Sequence, residues 1–249
     1  MNQPADTNAA IWQSSEMAET WAAEAAERER RNAAPWRFMT VLLPFGGQDA
    51  FTFLDLGAGT GGLSRAILDA HPRSTAVLAD FSAAMMGAGE REMEPFAGRY
   101  RYVEFDLQAG DWPDGIPGSV DAVVTSLCVH HLTDERKQGL FGEILRRLVP
   151  GGWYLNYDPV RTDDPVVAAA WERATERRDP KLAHKRSHQT PEEKVRWENH
   201  VRHMMPLAPQ LEYLRSAGFE GVDVYWRRLD FVIYGGRRPP APGAASSPG

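Results

Sequence analysis

Apolar residues occur along the chain in short runs, separated by stretches in which they recur at helical spacing. Five runs between residues 51 and 157 predict β-strands, and the stretches between them predict helices. Strands that alternate with helices favour a parallel sheet with helices on both faces. The predicted strands are residues 51–56, 75–80, 99–105, 119–127 and 153–157.

The C-terminal third predicts additions to this core. Residues 163–205 read as a helical insertion after strand five, and 206–218 as a further helix. Two alternating segments, 221–227 and 230–234, predict an antiparallel hairpin that closes the sheet. We therefore expect an α/β fold with a seven-stranded, mostly parallel sheet. Loops and appended helices carry specificity on a shared scaffold, so the insertion is the segment expected to select the substrate.

The two ends of the chain predict less order. Residues 1–8 and the Pro/Gly/Ser-rich tail 237–249 are expected to be disordered. Residues 9–46 predict N-terminal helices with an apolar stripe, and Pro35 is expected to begin the last of them. One domain over residues 9–236 follows.

Composition restricts the class of protein. Hydrophobic residues make up 43% and charged residues 25% of the chain, which is typical of a globular domain, and no apolar run suits a membrane span or a secretory signal. The single Cys128 excludes an internal disulfide, and the histidines lack a tight ligand spacing, so we expect no metal site. These features favour a cytoplasmic protein. The net charge of −6 argues against a nucleic-acid partner, and the sequence leaves the oligomeric state open.

The segment from Phe51 to Leu68, FTFLDLGAGTGGLSRAIL, carries the strongest chemical signal. An apolar strand ends at four glycines, and helical spacing resumes after them. Glycines at such a junction allow positive φ and let a ligand approach the main chain closely. The start of the following helix offers unpaired N–H groups, so the negative part of a ligand is expected there.

The pattern D-L-G-x-G-T-G, which begins at Asp55, resembles motif I of the class I S-adenosylmethionine-dependent methyltransferases. About a hundred downstream residues follow the layout of that family, including the phrase LVPGGWYLNYD at residues 148–158. The resemblance implies a Rossmann-like fold, S-adenosylmethionine as cofactor and S-adenosylhomocysteine as product. It also implies that the helices of residues 9–46 form a lid over the site, with Trp12 and Trp21 near the substrate. The alternative, which their helical spacing favours, is that these tryptophans pack the helix onto the sheet.

Cofactor-binding residues are expected at the ends of the first four strands. Asp80 follows Gly61 by about twenty residues, where nucleotide-binding α/β units place the carboxylate that accepts ribose hydroxyls. A helix N-cap is the alternative role for Asp80, although Ser82 can fill it. By resemblance, Asp106 accepts from the adenine amino group and Leu107 covers the ring. The full expected set is Asp55, Gly57, Ala58, Gly59, Gly61, Asp80, Phe81, Met85, Asp106, Leu107 and Ser126.

The acceptor side is expected after strands four and five. Methyl transfer is an in-line displacement that needs alignment and exclusion of water, and a base is useful for a hydroxyl or ammonium acceptor. His131 is the first candidate for that base, with Asp158 second and His130 as a further substrate contact. Packing under the following helix is the alternative role for either histidine. Arg196 is a candidate substrate contact in the insertion.

The sequence thus predicts methylation of a small molecule on oxygen or nitrogen, but other functions remain open. Gly57, Gly59 and Gly62 also satisfy G-x-G-x-x-G, which suits an NAD(P)-binding oxidoreductase, although no Y-x-x-x-K occurs. Arg196 and the segment from Trp226 to Phe231 are loosely similar to carboxy-S-adenosylmethionine synthases. A non-catalytic S-adenosylmethionine-binding protein is the last alternative.

Overall fold

A computed structural model of the chain describes residues 25–179, 190, 194, 197–198 and 201–242. Trp12, Trp21, Arg196 and much of the predicted insertion therefore lie outside the described residues. The described helices are α1 (Ala25–Leu42), α2 (Gly62–Ala70), α3 (Ala83–Met93), α4 (Asp134–Arg147), α5 (Pro165–Arg178) and α6 (Leu207–Ala217). The strands are β1 (Thr52–Leu56), β2 (Thr75–Asp80), β3 (Tyr100–Glu104), β4 (Val120–Ser126), β5 (Leu148–Pro159), β6 (Glu220–Arg228) and β7 (Phe231–Arg237).

The seven strands form one sheet in the order β3-β2-β1-β4-β5-β7-β6. Strands β1 to β5 pair in parallel, whereas β7 runs antiparallel to both β5 and β6. The predicted seven-stranded sheet with an antiparallel closing hairpin is confirmed. None of the helices in the described ranges is both long and apolar enough to cross a bilayer.

Apolar side chains leave both faces of the sheet, as a buried parallel sheet requires. On one face Leu54 and Leu56 of β1 share a core with Leu140 of α4 and Leu214 of α6. On the other face Phe53 belongs to a core built with side chains of α1, α2 and α3. Each fully buried Leu or Phe contributes about 1.5–3 kcal/mol, so the two cores fix the sheet and its carboxyl edge in place.

The N-terminal helix differs from the prediction, because Pro35 lies inside α1 and does not begin a helix. A proline within a helix removes one hydrogen bond and crowds the preceding turn. The residues after it compensate through packing, since Trp36 and Met39 are buried against the sheet and α2. Tertiary burial therefore outweighs the local preference for a break.

The last strands also extend beyond their predicted bounds. β5 begins at Leu148, which pairs with Val120 of β4, and ends at Pro159, which pairs with Phe231 of β7. β7 continues to Arg237, and the amide of Arg238 donates to the carbonyl of Gly152 at 2.8 Å. The ordered sheet thus includes the first residues of the segment expected to be a disordered tail.

Gly235 tests how closely β5 and β7 approach. A Cβ at this position would lie 1.9 Å from the carbonyl oxygen of Tyr154, a backbone atom that cannot rotate away. We expect Gly235→Ala to lower the free energy of unfolding by about 3 kcal/mol, the upper end of the usual range for overpacking. Urea denaturation measures it. Gly118→Ala is the control, because nothing lies within 4 Å of its added Cβ; equal losses in the two variants would contradict the close approach.

Candidate active site

The strand order reverses beside β1, which has β2 on one side and β4 on the other. The connections that leave β1 and β4 at this point therefore diverge toward opposite sides of the sheet. In open α/β sheets the crevice between two such connections is where ligands bind. Here it is bordered by the glycine loop, residues 57–61, and by the turn at residues 127–133.

The glycine loop is held by main-chain bonds to β2. The amides of Gly57 and Ala58 both donate to the carbonyl of Ala79, at 2.8 and 3.1 Å. Gly57, Gly59 and Gly61 have φ values of 69°, 53° and 80°, which side chains rarely adopt. A loop of this shape brings backbone atoms to the mouth of the crevice.

Asp80 joins this loop to the end of β2. One carboxylate oxygen accepts from the Gly59 amide at 2.7 Å and the other from the Ser82 amide at 2.9 Å. Each oxygen keeps a second lone pair for hydroxyl donors from a ligand. Burial raises the pKa of Asp80 although the backbone bonds oppose the shift. The Ser82 hydroxyl caps α3 by accepting from Met85, so the capping role belongs to Ser82.

A second polar cluster lies at the ends of β4 and β5. Asp158 accepts from the His130 ring at 2.7 Å through Nδ1 and from the His130 amide at 2.8 Å. Both side chains are buried. Burial, reinforced by the charge of Lys137, lowers the pKa of His130 to about 3, and burial raises the pKa of Asp158 to about 7. The imidazole is thus neutral at physiological pH, with its Nδ1 proton on the bond to Asp158.

His131 lies beside this pair and is half-buried. Its ring centroid is 4.0 Å from that of His130, and its charge would favour the ionised form of Asp158. The chain reaches it through Leu127, which has φ of 57°, a strained value for a residue with a side chain. The Thr133 hydroxyl then caps α4, so the two histidines stand between β4 and the helix.

Comparison with known proteins agrees with this geometry. Residues 54–154, which run from β1 into β5, match the sequence profile of a methyltransferase domain. This part of the chain is therefore similar to a methyltransferase domain. A demethylmenaquinone methyltransferase of Thermus thermophilus is 34% identical over 99 residues, 40% of this chain and 43% of that protein. The chain spans about half the length of the curated relatives it matches.

Solved structures show the same methyltransferase fold at low identity. An O-methyltransferase family protein of Burkholderia thailandensis superimposes with a TM-score of 0.67 at 16% identity, over 93% of this chain and 62% of that one. Human N-acetylserotonin methyltransferase, solved with S-adenosylmethionine, gives 0.64 at 15% identity, over 95% and 60% of the two chains. At these identities the likeness concerns the fold.

The other sequence-predicted residues of the methyltransferase domain occupy different settings. Met85 is buried beside the glycine loop, its Cε 3.3 Å from where a Cβ of Gly59 would stand. Ala58 and Phe81 are half-buried. Asp106 is exposed and accepts from the Gln108 amide at 2.9 Å, whereas Leu107 is buried in the core shared with α4.

Asp55 lies beneath the loop and is fully buried. It accepts from the Ser64 hydroxyl at 2.7 Å, which ties the end of β1 to the first turn of α2. Burial is the main cause that raises its pKa from 3.8 to about 7, and the charge of Asp80 adds to the shift. The carboxyl group therefore supports the loop from below, and its bond to Ser64 is one that the motif alone did not suggest.

Two aromatic residues that the sequence did not single out complete the loop. The indole of Trp36 fills the space beside Gly62, where a Cβ would lie 2.5 Å from its ring, and donates to the Ser126 hydroxyl at 2.8 Å. The Tyr102 hydroxyl donates to the Gly59 carbonyl at 3.1 Å. Only the alternation of β3 hinted at Tyr102, and nothing in the sequence pattern pointed to the partner of Trp36.

The Asp55 carboxyl predicts a pH-dependent stability. In the fold it keeps its proton up to about pH 7, whereas the unfolded chain loses it near pH 4, so its contribution to stability falls as pH rises through that window. We expect the difference in free energy of unfolding between Asp55→Asn and wild type to change by about 2–3 kcal/mol in favour of the variant between pH 5 and pH 8. This change corresponds to about 2 pKa units. Urea unfolding at both pH values measures it. Parallel pH profiles of the two proteins would contradict a raised pKa.

Proposed function

We propose that this chain is a methyltransferase that moves the methyl group of S-adenosylmethionine to an oxygen or nitrogen atom of a small molecule. The observation that carries the proposal is the bond between the Gly59 amide and Asp80, which joins a positive-φ glycine loop to a buried carboxylate at the strand reversal. The methyltransferase-domain match covers this same region. Because that match and the curated relatives cover only part of each chain, the reaction is our inference.

The residues of the crevice fit the cofactor. The two Asp80 oxygens suit the ribose hydroxyls, and the first amides of α2, whose N-cap Gly61 provides no capping side chain, suit a carboxylate. Phe81 and Met85 are assigned to the adenine face. Asp106 is assigned to the adenine amino group and Leu107 to the ring. Bound there, S-adenosylmethionine supplies an activated methyl group on a sulfonium and leaves as S-adenosylhomocysteine.

The residues that support the glycine loop help to align the methyl donor with the acceptor. Asp55 holds the first turn of α2 through Ser64, and Trp36 packs beside Gly62, the residue that follows the glycine loop. Ser126, expected to touch the cofactor, is assigned to fix Trp36 over the loop. A loop fixed on both sides keeps donor and acceptor in line, which is the main catalytic task of the protein in this reaction.

We assign the acceptor to the turn at residues 127–133. His131 is half-buried there and is placed to accept a proton, and Asp158 stabilises the resulting charge while it holds His130. Oxygen is the favoured acceptor atom, since similar folds include O-methyltransferases. Trp12, Trp21 and Arg196 stay predicted substrate contacts.

The alternative functions receive no support from the comparisons, whose matches are to methyltransferases. A cytoplasmic location and the lack of a nucleic-acid partner stay predictions. The most direct test of the function is mass spectrometry of the purified protein for bound S-adenosylmethionine or S-adenosylhomocysteine. A methyl-release screen over small acids, phenols and amines then identifies the acceptor.

Asp80→Ala tests the cofactor site. Loss of charge-assisted bonds worth about 1.5–3 kcal/mol should raise the dissociation constant for S-adenosylmethionine by about 10–150-fold. Isothermal titration calorimetry measures it, with circular dichroism to verify the fold. Glu104→Ala is the matched control, because Glu104 is the exposed partner of Asp80 in the β2–β3 register. An unchanged constant in a folded Asp80→Ala protein would refute the ribose assignment.

His131→Gln tests the base once an acceptor is known. Removal of a positioned general base typically lowers kcat by 10²–10⁴-fold, whereas loss of a binding contact mainly raises KM. We expect the larger effect, together with loss of the acidic limb in the profile of kcat against pH. His130→Gln is measured in parallel. If His131→Gln keeps the wild-type kcat and acidic limb, the role passes to His130 or Asp158.

A further inference from the structure

A buried chain of hydrogen bonds leads from Asp158 away from the crevice. The amide nitrogen of Asn156 donates to Asp158 at 3.3 Å and to the hydroxyl oxygen of Tyr234 at 2.8 Å. The Tyr234 hydroxyl donates to the side-chain oxygen of Gln210 at 2.5 Å. Asn156, Asp158, Tyr234 and Gln210 are all buried, so water does not substitute for these bonds.

The chemistry of the groups fixes the direction of this chain. The NH₂ group of an amide only donates and its oxygen only accepts, so Asn156 presents its NH₂ group to Asp158 and Tyr234 and its oxygen to Thr125, whose hydroxyl donates to it at 2.5 Å. The antiparallel register places Asn156 opposite Tyr234 on β7. Each member therefore has a partner that restricts its rotation, and removing one leaves a buried polar group unpaired.

The series of hydrogen bonds ends where the polypeptide returns from the insertion. Four successive carbonyls, those of residues 203–206, accept bonds from three side chains, of which Lys137 and Gln210 are buried and Arg161 is exposed. The donors are Lys137 to His203, Arg161 to Met204 at 2.9 Å, and Gln210 to Met205 at 3.3 Å and Pro206 at 3.4 Å. Lys137 is fully buried and stands on the first turns of α4, close to His130. The return from the insertion is thus attached to the elements that carry the candidate base.

We propose that Tyr234 and Gln210 are positioning residues that hold Asp158, and through it His130 and the turn bearing His131, in register with the end of the insertion. The proposal rests on the proposed function, in which the acceptor binds at that turn. Their side-chain hydrogen bonds link them to each other, to Asn156 and to the carbonyls of residues 205–206, whereas the cofactor is assigned to the glycine loop. Their effect should therefore fall on the reaction with the acceptor and spare cofactor binding.

Tyr234→Phe removes the hydroxyl and keeps the ring, so Asn156 loses one acceptor and Gln210 one donor. We expect kcat to fall by about 10–100-fold, the range expected for small misplacements of reacting groups, with an unchanged dissociation constant for S-adenosylmethionine. The second readout is the ¹⁵N NMR signal of the His130 ring, assigned by its loss in His130→Gln. We expect the Nδ1 signal to shift as the bond to Asp158 is disturbed.

Tyr157→Phe is the matched control. Tyr157 is another buried tyrosine, on β5 itself, but it belongs to the core on the opposite face of the sheet, and its hydroxyl donates to the Asn32 side chain at 3.4 Å. A role limited to packing would give the two variants the same kcat and the same His130 signal. That result, in folded proteins by circular dichroism, would overturn the proposal.

The NMR readout separates this proposal from the proposed function, because it needs no acceptor. A shifted His130 signal in Tyr234→Phe supports the positioning role even if every methyl-release assay fails. An unchanged signal overturns it even if the wild type is an active methyltransferase. Gln210→Met repeats the test if Tyr234→Phe does not fold. It removes the side-chain oxygen that accepts from Tyr234 and the side-chain nitrogen that donates to the carbonyls of residues 205–206.

Discussion

The hydrogen bond from the Gly59 amide to Asp80 is the contact on which the site depends. It forms where the chain turns with positive φ directly after β1, which favours glycine at positions 57 and 59. Once the amide faces Asp80, the Gly59 carbonyl points to the Tyr102 hydroxyl. The loop is therefore held by hydrogen bonds to β2 and β3, which restrict its backbone.

Asp158 and His130 meet a different constraint, the cost of burying charge. Burial raises the pKa of the acid and lowers the pKa of the imidazole, and both shifts favour the neutral form of the group. The two groups act as one unit, since a single proton on Nδ1 satisfies both. Such a pair costs desolvation energy that packing alone would avoid, so its presence at the strand ends is better explained by the site than by stability.

Much of the fold was predictable because it is written in local periodicity. The alternation of strands and helices predicted the sheet, and the spacing from Gly61 to Asp80 predicted a carboxylate at the end of β2. The predicted start of the N-terminal helix was wrong because tertiary burial outweighed the local preference. Pro35 indicated a helix start, but burial of Trp36 and Met39 keeps α1 continuous across it. The predicted bounds of β5 were too short for a similar reason, because pairing with its two neighbouring strands extends β5 beyond its apolar run.

The polar chain behind Asp158 was beyond sequence reasoning for another reason. Asn156 and Tyr234 are 78 residues apart, and they meet only through the register of β5 and β7. The alternation of side chains along a strand does not specify that register. The same register separates two tasks within one domain. The proposed cofactor contacts lie at the ends of β1 and β2, while the insertion returns to the sheet beside β5 and β7. Under the proposed function, changes in the insertion would alter acceptor selection without disturbing the glycine loop, as expected where one scaffold serves many substrates.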